Sequence, residues 1–377
     1  MLFRKDFGAS NLESHTGKLG VINISNTSVL WRAKKNSVKS VLCALLLLAC
    51  SQVVLADASS DELASIVALI NDIRKNPSAN DFSVPGRPSF LNLNSNSSVS
   101  ASNLGSGELL APAEIIGGNN ADRNEYREYT LVIGTDGQGD ITFLCGGTLI
   151  SSNTVLTAAH CSDAPASTYF AIPGFYSFDD DVEAANLFQV GRVAVHPQYD
   201  AAAINNDIAV MTLSQPSSIS PASVHQGSSD LAGSSGIVIG TGLTASSPTP
   251  VAPTILQEVA APITNNAECA TQWINLAGIN PVTESVLCAG FTTNARGTCS
   301  GDSGGPLFAD IDGVRTVVGT VSFGIVPCEA NRATQGFART SALIDFIASA
   351  SPNTQFIATS GDAGFLPPIM MLLDEAS

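Results

Sequence analysis

The residues with a capacity for chemistry lie in "GTCSGDSGGPLF". Ser303 stands between Gly301-Asp302 and Gly304-Gly305. Glycines on both sides are what a sharply bent loop needs if one hydroxyl is to project while neighbouring N–H groups converge on a point. A serine hydroxyl is a weak nucleophile at neutral pH. It needs a histidine to take its proton, and the histidine needs a carboxylate to fix its tautomer and stabilise its charged form. As a bare pattern the stretch also satisfies the Gly-x-Ser-x-Gly elbow of α/β-hydrolase esterases, in which the histidine follows the serine. No histidine follows His225 here. The base must therefore come from upstream.

His160, His196 and His225 are the histidines available there. His160 ends the apolar run "TVLTAAHC", among small residues and beside Cys161, which could tether it. His196 precedes a proline in "VAVHPQYD" and is expected in a structural turn role. His225 falls in a Ser/Pro-rich stretch and is expected at the surface. Asp207, entering the apolar strand "DIAVMTL", faces burial and so requires a partner, which makes it the candidate acid.

These residues must be positioned by short strands. From Ile115 onward the chain reads as alternating apolar runs, "YTLVIGT", "ITFLCGGTLIS", "FQVGRVAVH", "DIAVMTL", "SGIVIGT" and "RTVVGTVSFG", broken by Gly, Asn, Asp and Pro. Such runs indicate a β-sandwich or a pair of barrels. A single late helix, "TSALIDFIASA", is expected to close the region. Upstream, Leu63, Ile66, Val67, Ile70 and Ile73 follow helical spacing from Asp61 to Asn76 until Pro77 stops the pattern, and "NLNSNSSVSASNLGSG" reads as a flexible linker.

The run "VLCALLLLACSQVVLA", preceded by Arg32, Lys34, Lys35 and Lys39, is too short to span a bilayer and reads as a secretory signal cut after Ala56. The competing readings are an uncleaved anchor, a start downstream of Met1, and a lipidated Cys50. Export makes disulfides natural: Cys145, Cys161, Cys269, Cys288, Cys299 and Cys328 are even in number, though spacing alone leaves 15 pairings open. No Cys-x-x-Cys pair exists, which disfavours a metal site, and no cofactor is expected. From Ile115 on, seven Arg and no Lys face 24 acidic residues, a balance of −17. That charge excludes general attraction to nucleic acid or to anionic membranes.

The ordered set "IIGG", "LTAAHC", "DIAV" and "GDSGGP" resembles the trypsin/chymotrypsin-like serine proteases from Ile115 to about Ala350. The resemblance implies an all-β fold of two packed six-stranded antiparallel β-barrels with a C-terminal helix. Before them would stand a signal peptide (1–56) and a partly helical, partly disordered propeptide (57–114). The protease domain would be 115–350 and the tail 351–377. It assigns His160 as base, Asp207 as its orienting partner, Ser303 as nucleophile, and the N–H groups of Gly301 and Ser303 as the oxyanion hole. It would pair Cys145 with Cys161, Cys269 with Cys288 and Cys299 with Cys328.

By the same resemblance the specificity pocket has Gly297 at its base, where a trypsin carries aspartate, with Thr298, Ser322, Phe323 and Gly324 around it. A gapless count from Cys328 adds Gln335 to the wall and puts Phe337 where a tyrosine is common; a one-residue shift would put Gly336 there instead. Gln335 would narrow the pocket, offer it an amide, or point away. A neutral residue before the cut bond is expected. Cleavage between Glu114 and Ile115 would free an amino group to pair with Asp302, and Glu114 is not a residue trypsin cuts after. The implied partners are peptide or protein substrates and an activating protease, for a monomer without a stable membrane span. Asp179, Asp180, Asp181 and Glu183 are expected to form a solvated loop rather than a Ca²⁺ site. The alternative reading of the whole is an inactive homologue serving as a binding module.

Overall fold

The computed structural model describes residues 115–360 except 163–167, 181, 229, 245–250, 293–295, 327 and 329–332, together with 60–73 and the short strands 23–24, 27–28, 53–54 and 90–92. The expected signal run apart from Val53–Val54, the expected linker beyond Asn92, Glu114, Asp181 and most of the tail thus lie outside the described residues. Two units divide the chain, Met1–Ser51 and Gln52–Ser377. In the first, Asn23–Ile24 pairs antiparallel with Thr27–Ser28. Everything below concerns the second.

Twelve strands build two closed barrels. The first contains β1 (Tyr129–Thr135), β2 (Ile141–Ser151), β3 (Thr154–Thr157), β4 (Thr168–Pro173), β5 (Phe188–Val195) and β6 (Ala209–Leu213). They run in the order β6-β3-β2-β1-β4-β5, and β5 pairs with β6 to close the ring. The second contains β7 (Ser235–Gly240), β8 (Gln257–Thr264), β9 (Val286–Ala289), β10 (Pro306–Ile311), β11 (Val314–Val326) and β12 (Gln335–Arg339). Its order is β10-β7-β8-β9-β12-β11, with β10 on β11 completing the closure. Counted from its own first strand, each ring reads 1-2-3-6-5-4, so both barrels share one topology. Closure leaves few exposed strand edges.

Local chemistry explains the strand limits. Asp312 (φ 52°) and Gly313 (φ 84°) turn β10 into β11. This Asp-Gly pair with both φ angles positive is the two-residue turn whose twist matches that of the flanking strands. Each barrel has a cluster of its own, Val132, Leu149, Val155 and Met211 in one and Val238, Leu307, Val318 and Phe337 in the other, while Leu131, Ile133, Leu156 and Phe170 join Ile239, Phe308 and Val317 of the second barrel in a shared cluster, all essentially inaccessible to water. Arg315 on β11 spans the two, its Nη2 and Nε donating to Glu128 at 2.7 and 3.0 Å and its guanidinium lying 4.7 Å from the Tyr126 ring.

Three helices accompany the barrels: α1 (Ser60–Ile73), α2 (Asn266–Ala277) and α3 (Ile344–Ala350). Helix α1 starts one residue before the Asp61–Asn76 expectation and ends three before its limit, with Ile66 and Ile70 fully buried and Leu63 and Val67 packed at the rim of the same cluster as Phe175, Phe178 and Leu187. Helix α2 corrects the expectation of one late helix. Asn265 caps it by accepting the Glu268 N–H at 2.9 Å, and Gly278 ends it in the left-handed conformation. Trp273 anchors it from a fully buried position.

A second correction concerns His225, expected at the surface. It is 1% exposed, on a three-residue strand, Ser223–His225, held between β11 and Phe356–Ile357. The tail residues Phe356 and Ile357 cover it, a packing that the polar stretch around them does not announce.

Candidate active site

The carboxylate of Asp207 is the fixed point of the site. A one-turn helix, Ala159–Ser162, follows β3 and presents His160, while the chain entering β6 presents Asp207. Asp207 Oδ1 accepts the backbone N–H of His160 at 2.9 Å, and Oδ2 lies 2.7 Å from His160 Nδ1. Ser322 on β11 donates to the same Oδ2 at 2.5 Å. Asp207 is 1% exposed. Burial on its own would push the carboxyl up, but the charge and hydrogen bonds of His160 and the Ser322 hydroxyl hold it below its ordinary value. An ionised carboxylate only accepts, so Nδ1 must carry the ring proton, and Nε2 is the nitrogen with the lone pair.

The loop that delivers Asp207 is tied to the second barrel. Asn205 Oδ1 accepts from Ser285 Oγ at 2.6 Å and Thr283 Oγ1 at 2.7 Å, and the Asn206 N–H reaches Ser285 Oγ at 3.2 Å. The acid therefore sits where the barrels meet. His160 is fixed from the other side by the disulfide of its neighbour, Cys145–Cys161. Cys269–Cys288 and Cys299–Cys328 are the other two disulfides, so all three pairs are as the resemblance implied.

Ser303 is brought against these same strand ends. Its carbonyl accepts the Gly146 N–H from β2 at 2.7 Å and lies 3.6 Å from Cys161 Sγ, one residue from His160. A Cβ on Gly304 would come within 2.2 Å of Thr157 Oγ1, so only glycine lets the loop approach this closely. Gly301 has φ +100°. Along the loop, Asp302 N–H goes to Cys299 O, Gly304 N–H to Val321 O, and Gly305 N–H to Asp302 O. Among the described residues the N–H groups of Gly301 and Ser303 have no main-chain acceptor, which leaves two donors beside the serine.

Behind the loop lies Asp302, fully buried. It accepts the N–H groups of Gly242 at 2.7 Å and Cys299 at 2.8 Å. Burial raises its carboxyl to about 7, against the pull of those two bonds. A Cβ at Gly240 or Gly242 would run into this carboxylate, at 2.0 and 2.5 Å. The chain start predicted for the mature protein runs close by: Gly297 N–H donates to Ile116 O at 3.1 Å, and Ile116 packs with Cys299 and Cys328. Ile115 is buried and holds φ at 22°, a strained value for a β-branched residue.

Gln335 does not point outward. Its Oε1 accepts the Thr298 N–H at 2.8 Å and its Nε2 donates to Thr298 O at 2.7 Å, both buried. Gly336, the residue of the one-residue shift, instead lies under Phe323, whose ring a Cβ would meet at 2.2 Å. His196 stays out of the site. Its Nδ1 accepts the Gln198 N–H at 3.2 Å within a turn, and its ring packs 5.0 Å from Phe346. Asp180 of the acidic loop is bound by Arg123 through two bonds of 2.8 Å. Asp207's third partner, Ser322, had been read from sequence only as pocket wall.

Comparison with known proteins gives the family. Residues 115–347 match the sequence family described as Trypsin. The chain belongs to the trypsin family. Among curated relatives of this family member, "Serine protease filzig" of Drosophila melanogaster is 34% identical over 219 residues, 56% of this chain and 13% of that protein. "Serine proteinase stubble" of the same fly is 34% identical over 198 residues, 50% of this chain and 25% of that one. "Brachyurin" of Leptuca pugilator is 34% identical over 212 residues, 55% of this chain and 88% of that protein. The match thus spans only a small part of the first two relatives. It covers most of the third.

Proposed function

We propose that the chain is an exported serine endopeptidase made as a zymogen, with His160, Asp207 and Ser303 as its catalytic residues. The observation that carries this reading is the buried Asp207 carboxylate, bonded to both the ring and the main chain of His160, beside a serine framed by glycines. Ser303 Oγ attacks the peptide carbonyl as His160 Nε2 takes its proton. The N–H groups of Gly301 and Ser303 stabilise the oxyanion, and His160 returns the proton to the leaving amine. Water then attacks the acyl-enzyme with the same base. Ser303→Ala should lower turnover by about 10⁵- to 10⁶-fold; a variant with full peptidase activity would refute the assignment. Labelling of Ser303 by a fluorophosphonate separates this reading from an inactive homologue.

The pocket reading extends to specificity. Gly297 supplies no charge, and the amide of Gln335 is already engaged by Thr298, so the described residues of the walls offer no carboxylate to pair with an Arg or Lys side chain. A neutral residue before the cut bond is expected. A chromogenic panel in which Arg ranked first would overturn this.

The proposed layout is a signal peptide to Ala56, a propeptide 57–114 and a protease domain 115–350, acting as a monomer on protein or peptide substrates. Activation would cut between Glu114 and Ile115. The new ammonium of Ile115 would then face Asp302, which supports the pairing by being buried with no cation of its own among the described residues. The activator must tolerate Glu114. N-terminal sequencing of active protein should begin at Ile115, and any other start removes this switch.

A further inference from the structure

Strand β11 is longer than the barrel needs. Its pairing with β10 ends at Thr320 and with β12 at Phe323, opposite Gly336. The next three residues, Gly324–Val326, carry on beyond the barrel wall, and they are not left bare. Phe90–Asn92 pairs with them in parallel, Gly324 with Phe90, Ile325 with Leu91 and Val326 with Asn92. This edge adjoins the candidate site, because Ser322, two residues earlier, donates its hydroxyl to Asp207. A strand edge beside a nucleophile is a place where an extended chain can be gripped by main-chain bonds without regard to its side chains.

The direction of the pairing matters. β11 leaves the site as it runs from Ser322 to Val326, so Phe90–Asn92, parallel to it, also runs away from the site. A substrate whose residues before the cut bond lay along this edge would have to run toward Ser303. The segment before Ile115 takes the same edge with the opposite polarity.

A second, independent contact holds this N-terminal segment. Helix α1 buries Ile66 and Ile70 in the cluster with Phe175, Phe178 and Leu187, and its Asn71 Oδ1 accepts the Val182 N–H at 3.2 Å. Three residues of strand pairing would be weak alone. Anchored through α1 on the first barrel, the strand meets its edge at an effective concentration in the millimolar range.

We propose that residues 58–98 form a two-point inhibitor of the protease, with α1 as anchor and Phe90–Asn92 as a reversed strand occupying the peptide-binding edge Gly324–Val326. Cutting before Ile115 is then not sufficient for activity. The severed segment must also leave, and no cysteine lies between 57 and 114 to hold it covalently. This rests on the endopeptidase reading for its consequence, but not for the contact itself.

The test uses the full chain with residues 110–114 replaced by four aspartates and a lysine, folded intact, cut there by enteropeptidase and separated from its N-terminal fragment. A fluorescein-labelled synthetic peptide of residues 58–98 is added back. Anisotropy reads binding, and hydrolysis of a neutral chromogenic peptide reads inhibition. Expected are a rise in KM of at least tenfold with kcat unchanged, recovery of the peptide uncut between 88 and 93, and at least tenfold weaker binding by a peptide of residues 84–96 lacking α1. Leu91→Pro and Asn92→Pro are compared because adjacent strand residues point to opposite edges. One of the two must lose a bond to β11 and bind at least tenfold more weakly.

Absence of binding, unchanged KM with peptide bound, cleavage within 88–93, or equal binding by both proline peptides would each overturn the proposal. A protein that hydrolyses nothing yet binds the peptide in a proline-sensitive way sinks the endopeptidase reading and upholds the contact. One that hydrolyses the chromogenic peptide but ignores residues 58–98 sinks this inference alone.

Discussion

At the scale of single residues, two buried aspartates are pushed in opposite directions by their surroundings. Asp207, with His160 and Ser322 around it, is held charged; Asp302, met only by two amides, is raised to about 7. Asp207→Asn should present an amide that favours the wrong imidazole tautomer and lower kcat about 10⁴-fold, with little change in KM. For Asp302 in the uncut chain, the folded state keeps a proton that the unfolded chain releases near pH 4. Stability should therefore fall as pH rises from about 4 to about 7 and level off above. His196, whose value burial lowers, acts in the opposite sense below its ordinary value of 6.5. The difference between Ser303→Ala full chains with and without Asp302→Asn, in melting temperature against pH, therefore isolates Asp302. If the two profiles had the same slope between pH 4 and 7, the buried proton would not exist.

His160, Asp207 and Ser303 can be nominated from the sequence because the proposed chemistry restricts their neighbours: small residues around the histidine, glycines around the serine, a carboxylate entering an apolar strand. The inward set of Gln335 was not legible. It depends on β9 and β12 aligning Ala289 with Gln335, which turns its amide toward Thr298. Gln335→Gly should free that space and raise kcat/KM for a large neutral residue over a small one by about tenfold, the worth of one or two methylenes of pocket. A chromogenic pair differing only at that residue measures it.

Elements tell the same story with different errors. The strands with uninterrupted apolar runs came out as read, β1 and β2 to the residue, because their pattern is long and bounded by turn residues. Helix α2 was missed although Asn265, Glu268 and Gly278 spell a cap, a first-turn acid and a stop; its deep anchors are only Trp273 and the disulfide-bonded Cys269, too few to mark a helical stripe in "ECATQWINLA". Asn265→Ala should cost about 1 kcal/mol in chemical denaturation, and Asn265→Asp much less. Helix α1 shows periodicity read correctly, but its partner could not be read, since helical spacing says that a face is buried and not against what. Ile66→Ala with Ile70→Ala should leave α1 exposed to limited proteolysis in the full chain at protease concentrations that spare the parent.

For the molecule as a whole, two rings of one topology share the candidate site: His160 and Asp207 come from the first ring, Ser303 and Ser322 from the second. The region from Ile115 on carries a charge of −17. Hydrolysis of a strongly basic protein should slow several-fold between 20 and 200 mM salt, while that of a small neutral peptide should hardly change, because screening removes long-range attraction and not contact. Equal salt responses would mean that the charge serves solubility alone. How the rings pack could not be foreseen from strand patterns, which carry no information about the cross-barrel bonds of Arg315 or Gly146.

The backbone at Ile115 has one more implication. Its φ of 22° is a torsion about the N–Cα bond of Ile115, and the first of the four atoms that define it is the carbonyl carbon of residue 114. A cut between the two does not relax that angle; it abolishes it. The strain of roughly 1–3 kcal/mol that such a conformation stores in an L-residue would vanish with the peptide bond. Rejoining the ends would have to impose it again, so a cut at the proposed bond would be favoured by that much over the same cut in an unstrained chain.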